Sequence, residues 1–113
     1  MRVNYVSLTL RDAQHLCWKN FRKINDALDL EAGKRWTPFM MVTDLLEEAG
    51  QVAAAIKGLE KTKPSEEPKT KEMLATELSD VLYIVFILAE HYGIELEEAF
   101  MQTVNDRMIS MLG

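Results

Sequence analysis

Apolar residues recur along this chain at three- and four-residue intervals, the period of a helix with one buried face. Four segments carry the pattern. The first starts near Thr9, where T-L-R-D puts Asp12 at the position of a capping box, and its apolar face is Leu10, Ala13, Leu16, Cys17, Phe21, Ile24 and Leu28. The run "EAGKRWTP" reads as a turn, after which Thr37 caps a second helix with Pro38 at its first position. That helix would bury Val42, Leu45, Leu46, Ala49, Val52, Ala53, Ile56 and Leu59. Residues 57–71, "KGLEKTKPSEEPKTK", lose the period past Leu59 and read as an exposed loop. A third helix runs from about Lys71 to Tyr92 and stops at Gly93, with Leu74, Leu78, Val81, Leu82, Val85 and Leu88 as its main core face. In the fourth, Leu96, Ala99, Phe100, Thr103, Val104, Arg107, Met108 and Met111 share one side. The alternation in "VNYVSLTL" is too weak to count as a strand. The expected fold is all-α, a single domain over residues 1–113 in the style of a four-helix bundle.

Two of these helices carry polar residues where the core should begin. In "LLEEAGQVAAAI" (residues 45–56), Glu48 falls at the edge of the apolar arc, and Asp44, Glu48 and Gln51 form a polar stripe alongside it. Gly50, which weakens a helix by about 1 kcal/mol relative to alanine, implies close approach by a neighbouring helix or a ligand. The third helix repeats the arrangement: Glu77 and Asp80 lie on one flank, and that flank continues as Ile84 and Ile87. A stripe that turns apolar within a turn does not face bulk water, so both acids belong in a partly covered groove. If the two flanks meet, carboxylates about 5 Å apart repel by roughly 3 kcal/mol at an effective dielectric of 20. Such a cluster needs protons or a cation. Oxygen donors without cysteine or histidine favour Mg²⁺, with Mn²⁺ as a substitute, and Mg²⁺ binds phosphates.

Charge and composition narrow the ligand. The formal net charge is −5 and no basic stripe exists, which argues against a nucleic acid polymer as partner. The longest apolar run, Val81 to Ala89, is far short of the roughly 20 residues that span a bilayer, so no membrane role is expected. One cysteine, Cys17, excludes an internal disulfide and fits a reducing compartment; together with an N-terminus lacking a signal-peptide core, it points to the cytoplasm.

The order and spacing of the acidic motifs resemble the MazG-like all-α nucleoside triphosphate pyrophosphohydrolases, whose signature is E-E-x-x-E on one helix and E-x-x-D on the next. Here E-E-A-G-Q (Glu47 to Gln51) precedes E-L-S-D (Glu77 to Asp80), within "ELSDVLYIVFILAEHYGIELEEAF" and before a final "NDRM". The resemblance covers about Trp36 to Met108. It implies Mg²⁺-dependent hydrolysis of a nucleoside triphosphate to the monophosphate and pyrophosphate, as part of nucleotide-pool housekeeping. It also implies a metal-ligand set of Glu48, Gln51, Glu77 and Asp80. Glu47 matches an extra glutamate that holds a second metal or orients the attacking water, which makes Glu47 and Glu48 the catalytic pair. Asn105 and Arg107 match an end motif near the nucleotide. Members of the family pair helices between subunits, so the resemblance implies a homodimer or a dimer of dimers that completes the core, and the apolar flank of Ile84 and Ile87 suggests such an interface.

Two positions depart from the family pattern. Gln51 stands where a third glutamate is usual, which lowers the formal charge of the four-position set from −4 to −3. Met101 and Gln102 occupy the place of a lysine that many members carry before the asparagine. These departures motivate a rival reading, a nucleotide-binding or regulatory helical module of weakened activity. Trp36 either stacks on a base or packs as a staple before the second helix. Lys57, Lys61 and Lys63 either close over a triphosphate or are simply solvated. Trp18, Tyr83, His15 and His91 read as structural residues.

Overall fold

The computed structural model describes residues 7–28 in full, the backbone of 29–32, and residues 36–61 and 63–112. Four helices follow in order: α1 (Leu10–Ala32), α2 (Pro38–Glu60), α3 (Lys71–His91) and α4 (Leu96–Leu112). Residues 3–6 of the strand-like stretch and 33–35 of the expected turn lie outside the described residues. No strand occurs among those described, and the all-α expectation holds.

The helix starts follow from local chemistry. Thr9 Oγ1 accepts the Asp12 N–H at 3.0 Å, and Asp12 Oδ2 accepts the Thr9 N–H at 3.4 Å, the reciprocal bonds of a capping box. Thr37 and Thr70 accept from Met40 and Met73 in the same way, and Pro38 opens α2. α3 ends where Gly93 takes a left-handed backbone (φ 66°), a conformation that glycine adopts without a Cβ penalty.

α2 and α3 form the main packed pair, with α1 laid across α3 and α4 touching chiefly α1. The core is small: Phe21, Met41, Ile84 and Ile87, flanked by Cys17, Trp18, Trp36, Leu45, Tyr83 and Leu88. This corrects the expected faces. Ile84 and Ile87, read as an interface between subunits, are instead the buried centre of the chain, while Leu78 and Leu82 of the expected core face are half exposed. On α2 the inward residues are Met41, Ala55 and Gly58, and Val42, Leu46 and Ile56 remain open to solvent. The reason is that α2 and α3 are apolar over more of their circumference than one neighbouring helix can cover. α4 buries none of its residues, although Phe100, Met108 and Met111 share its expected inner side.

Two further details position the corner opposite the packed pair. Gln14, the one buried polar side chain among the described residues, donates from Nε2 to the Ile94 carbonyl at 2.8 Å and accepts the Leu96 N–H at 3.2 Å. It thereby satisfies backbone groups at the α3–α4 turn. Around it His15 pairs with Glu90, and Arg11 Nε meets Glu95 Oε2 at 3.0 Å. Gly58 lets the return of the α2–α3 loop lie directly on α2, since a Cβ there would sit 2.4 Å from the Glu67 carbonyl oxygen.

Candidate metal and nucleotide site

Glu48 of α2 and Glu77 and Asp80 of α3 each offer one carboxylate oxygen, and these atoms lie within 4.8 Å of one another. Their convergence has a simple origin. Glu48 follows Met41 and Leu45 on the inward side of α2, whereas Glu77 and Asp80 precede Ile84 and Ile87 on the inward side of α3. Packing the apolar residues of the two helices therefore carries the acids together. Burial from water raises the Glu48 carboxyl above the ordinary glutamate range. A hydrogen bond shared with Glu77 and the negative charges of Asp80, Glu77 and Glu47 raise it further.

The donor set fits a hard divalent cation. Three carboxylates at this separation repel one another, a cation between them would relieve that repulsion, and all the donors are oxygens. Glu47 is exposed on the outer side of α2, and Gln51 is exposed one turn along from Glu48.

Beside the acids a pocket of about 320 Å³ opens between α1 and the α2–α3 pair, at the small end of the ~300–1,000 Å³ typical of small-molecule sites. Asp44, Glu48 and Asp80 line it together with Asn25 and the apolar and aromatic Phe21, Ile24, Leu28, Trp36, Tyr83, Ile84 and Ile87. The Tyr83 hydroxyl donates to Asn20 Oδ1 at 2.6 Å, so its polar tip is engaged and its ring serves as wall. Burial pushes the Tyr83 hydroxyl above its ordinary value, with a smaller contribution from Cys17 nearby.

The residues singled out from sequence divide accordingly. Glu48, Glu77 and Asp80 meet, and Trp36 lies in the adjoining wall. Lys57, Asn105 and Arg107 are exposed and are not among the lining residues of this pocket. Tyr83, read as purely structural, is part of the wall. Asn25 was missed, although its place one turn after Phe21, inside an apolar stripe, is the kind of polar interruption that drew attention to Glu48. Gly50 shows no close approach within the chain: a Cβ there would have nothing within 4 Å.

Comparison with known proteins bears on the family and the fold. A family model described as the MazG nucleotide pyrophosphohydrolase domain matches residues 37–110, the stretch that holds both acidic motifs. Uncharacterized protein YvdC of Bacillus subtilis (strain 168) is 38% identical over 72 residues, spanning 56% of this chain and 68% of that protein. The crystal structure of YPJD from Bacillus subtilis, provisionally described as a pyrophosphatase, shares the fold with a TM-score of 0.70 at 22% identity, over 90% of this chain and 97% of that one.

Proposed function

The chain belongs to the MazG nucleotide pyrophosphohydrolase domain family, and on that premise we propose that it hydrolyses a nucleoside triphosphate to the monophosphate and pyrophosphate with Mg²⁺. The observation that carries the proposal is the meeting of Glu48, Glu77 and Asp80, two of which, Glu48 and Asp80, also line a pocket that is otherwise mostly apolar and aromatic. A nucleotide has the matching polarity, a flat base at one end and a polyanion at the other.

In this reading Glu48, Glu77 and Asp80 hold the cation, and the amide oxygen of Gln51 reaches it as a neutral ligand. When bound, the cation supplies the positive charge that acidic walls cannot offer to phosphate oxygens. Glu47 orients the attacking water from the outer edge of the cluster. Trp36 and Tyr83 hold the base between aromatic surfaces and keep water out of that half of the pocket. Lys57, Asn105 and Arg107 act on the phosphates only if they are brought to the site, and a second copy of the chain is the natural source. The chain exposes 9156 Å², about 2,800 Å² more than a compact monomer of 13.0 kDa is expected to show. Half-exposed Val42, Leu78 and Leu82, with the largely exposed Leu46, supply an apolar surface for a homodimer or a dimer of dimers.

The direct test is pyrophosphate release from a panel of ribo-, deoxy- and modified triphosphates with Mg²⁺ or Mn²⁺. Turnover of at least one of them, abolished by chelation, is expected; a folded oligomer that turns over none would remove the proposal. The rival reading, a nucleotide-binding module without efficient hydrolysis, rests on Gln51. Restoring the acid with Gln51→Glu separates the two: a hydrolytic site handicapped at this ligand gains activity, whereas a binding module does not.

A further inference from the structure

All but one of the polar side chains in the pocket wall already have a role or a partner. Glu48 and Asp80 belong to the acid cluster, whose third member is Glu77. Asn25 accepts the Trp36 N–H at 3.4 Å, and the Tyr83 hydroxyl donates to Asn20 Oδ1 at 2.6 Å. Asp44 remains. It is half-buried and lines the same pocket, and among the described residues no hydrogen bond or ion pair engages its carboxylate. It is not one of the converging acids, nor one of the charges that raise the Glu48 carboxyl. A cation held by Glu48, Glu77 and Asp80 therefore leaves Asp44 in the wall without a partner.

The position of Asp44 along α2 says what it would meet. It precedes Glu48 by one turn on the same face, about 6 Å along the helix axis. The opposite direction leads to Pro38 at the helix start and to Trp36 just before it. A nucleotide whose phosphates are drawn to the cation and whose base lies at Trp36 passes its sugar along Asp44. An ionised aspartate only accepts hydrogen bonds, and it has two oxygens to do so. It repels phosphate oxygens. The hydroxyls of a sugar are donors, and an adjacent pair of them satisfies both carboxylate oxygens at once.

We infer that Asp44 is a specificity-determining residue of this site, accepting the sugar hydroxyls of the nucleotide and making ribonucleoside triphosphates, with adjacent 2′- and 3′-hydroxyls, the preferred substrate class. The inference rests on the nucleotide reading of the pocket, which sets the phosphates at the acids and the base at Trp36. A 2′-deoxy sugar keeps one of the two bonds. A 2′,3′-dideoxy sugar keeps neither and leaves the carboxylate covered and unpaired, the most unfavourable arrangement for a charged acceptor.

The test is equilibrium binding, with Mg²⁺, of α,β-imido analogues of ribo-, 2′-deoxy- and 2′,3′-dideoxynucleoside triphosphates. Each series carries one base, and all four bases are run, so base recognition cancels within a series. The α–β bridge is not hydrolysed, which makes the measurement independent of turnover. Wild-type protein should bind the ribo analogue at least about tenfold more tightly than the dideoxy one, with the deoxy analogue between them. Asp44→Ala should bring these ratios toward one, and Asp44→Asn, isosteric with one acceptor oxygen left, should fall between. Removing the charge strengthens the binding of every triphosphate alike and cancels in the ratio, and thermal melts confirm that both variants are folded. A wild-type protein indifferent to the sugar, or preferring the deoxy analogue, would overturn the role of Asp44 while leaving the nucleotide site standing. A ribo preference that persists in Asp44→Ala would do the same. Failure of the wild-type protein to bind any analogue would overturn the nucleotide reading as well.

Discussion

Glu48 is the residue at which the requirements of fold and chemistry collide. It occupies an inward position of α2, and two acids of α3 are brought against it, so part of its stabilisation must come from a proton or a cation. The sign of the resulting pH dependence follows from linkage. Because the folded carboxyl is raised above its ordinary value of 4.5, the folded protein holds more protons than the unfolded one between that value and the raised one. Metal-free protein should therefore lose stability as pH rises through this window and level off above it. In thermal melts with a chelator, Glu48→Gln should flatten the slope, and Mg²⁺ should restore stability to the wild-type protein at neutral pH and much less to the variant. A wild-type melting temperature that rises across this window would contradict the account. With Mg²⁺ and substrate, the same substitution should lower turnover at least about a hundredfold, the usual cost of removing a main electrostatic contributor. The acids were legible in sequence because their spacing sets them on the flanks of two apolar faces. Asn25 was not legible as a wall residue, because its place in the pocket depends on how α1 packs against α2 and α3.

The helices themselves were legible down to their caps, and their faces were not. Capping residues act within one turn, so Thr9, Thr37 and Gly93 announce their roles locally, and Thr70 caps α3 by the same geometry. Which side of α3 turns inward depends on α1 and α2, and both sides are apolar enough to compete. The same limit hid Gln14, which looks like a polar break in α1 until the α3–α4 turn is folded against it. Gln14→Leu removes three hydrogen bonds at once, to Glu90, Ile94 and Leu96. It should cost about 2–4 kcal/mol, mainly from backbone groups left unpaired, as measured by chemical denaturation. Gly50→Ala provides a contrast on α2. With nothing within 4 Å of the added methyl, it should stabilise the helix by about 0.5–1 kcal/mol. Destabilisation instead would mean that another subunit or a ligand occupies that space in solution.

At the scale of the whole molecule the chain is extended. Its radius of gyration is 17.3 Å, against about 13 Å for a compact domain of this length. α4 is attached mainly through α1 and buries none of its residues. Sedimentation or light scattering should find a mass of two or four chains, and a charge placed in the open apolar face by Leu46→Glu should dissociate it. Loss of assembly should weaken turnover too, if Arg107 and Asn105 reach the phosphates from a second copy. The central claim is that the joined acids of α2 and α3 direct cleavage of a nucleotide between its first two phosphates. Phosphorus NMR of a triphosphate incubated with protein and Mg²⁺ reads this most directly. The account expects resonances of the monophosphate and pyrophosphate growing together, and expects them to vanish with Glu77→Gln. Diphosphate with inorganic phosphate, or the same products from the variant at the same rate, would contradict it.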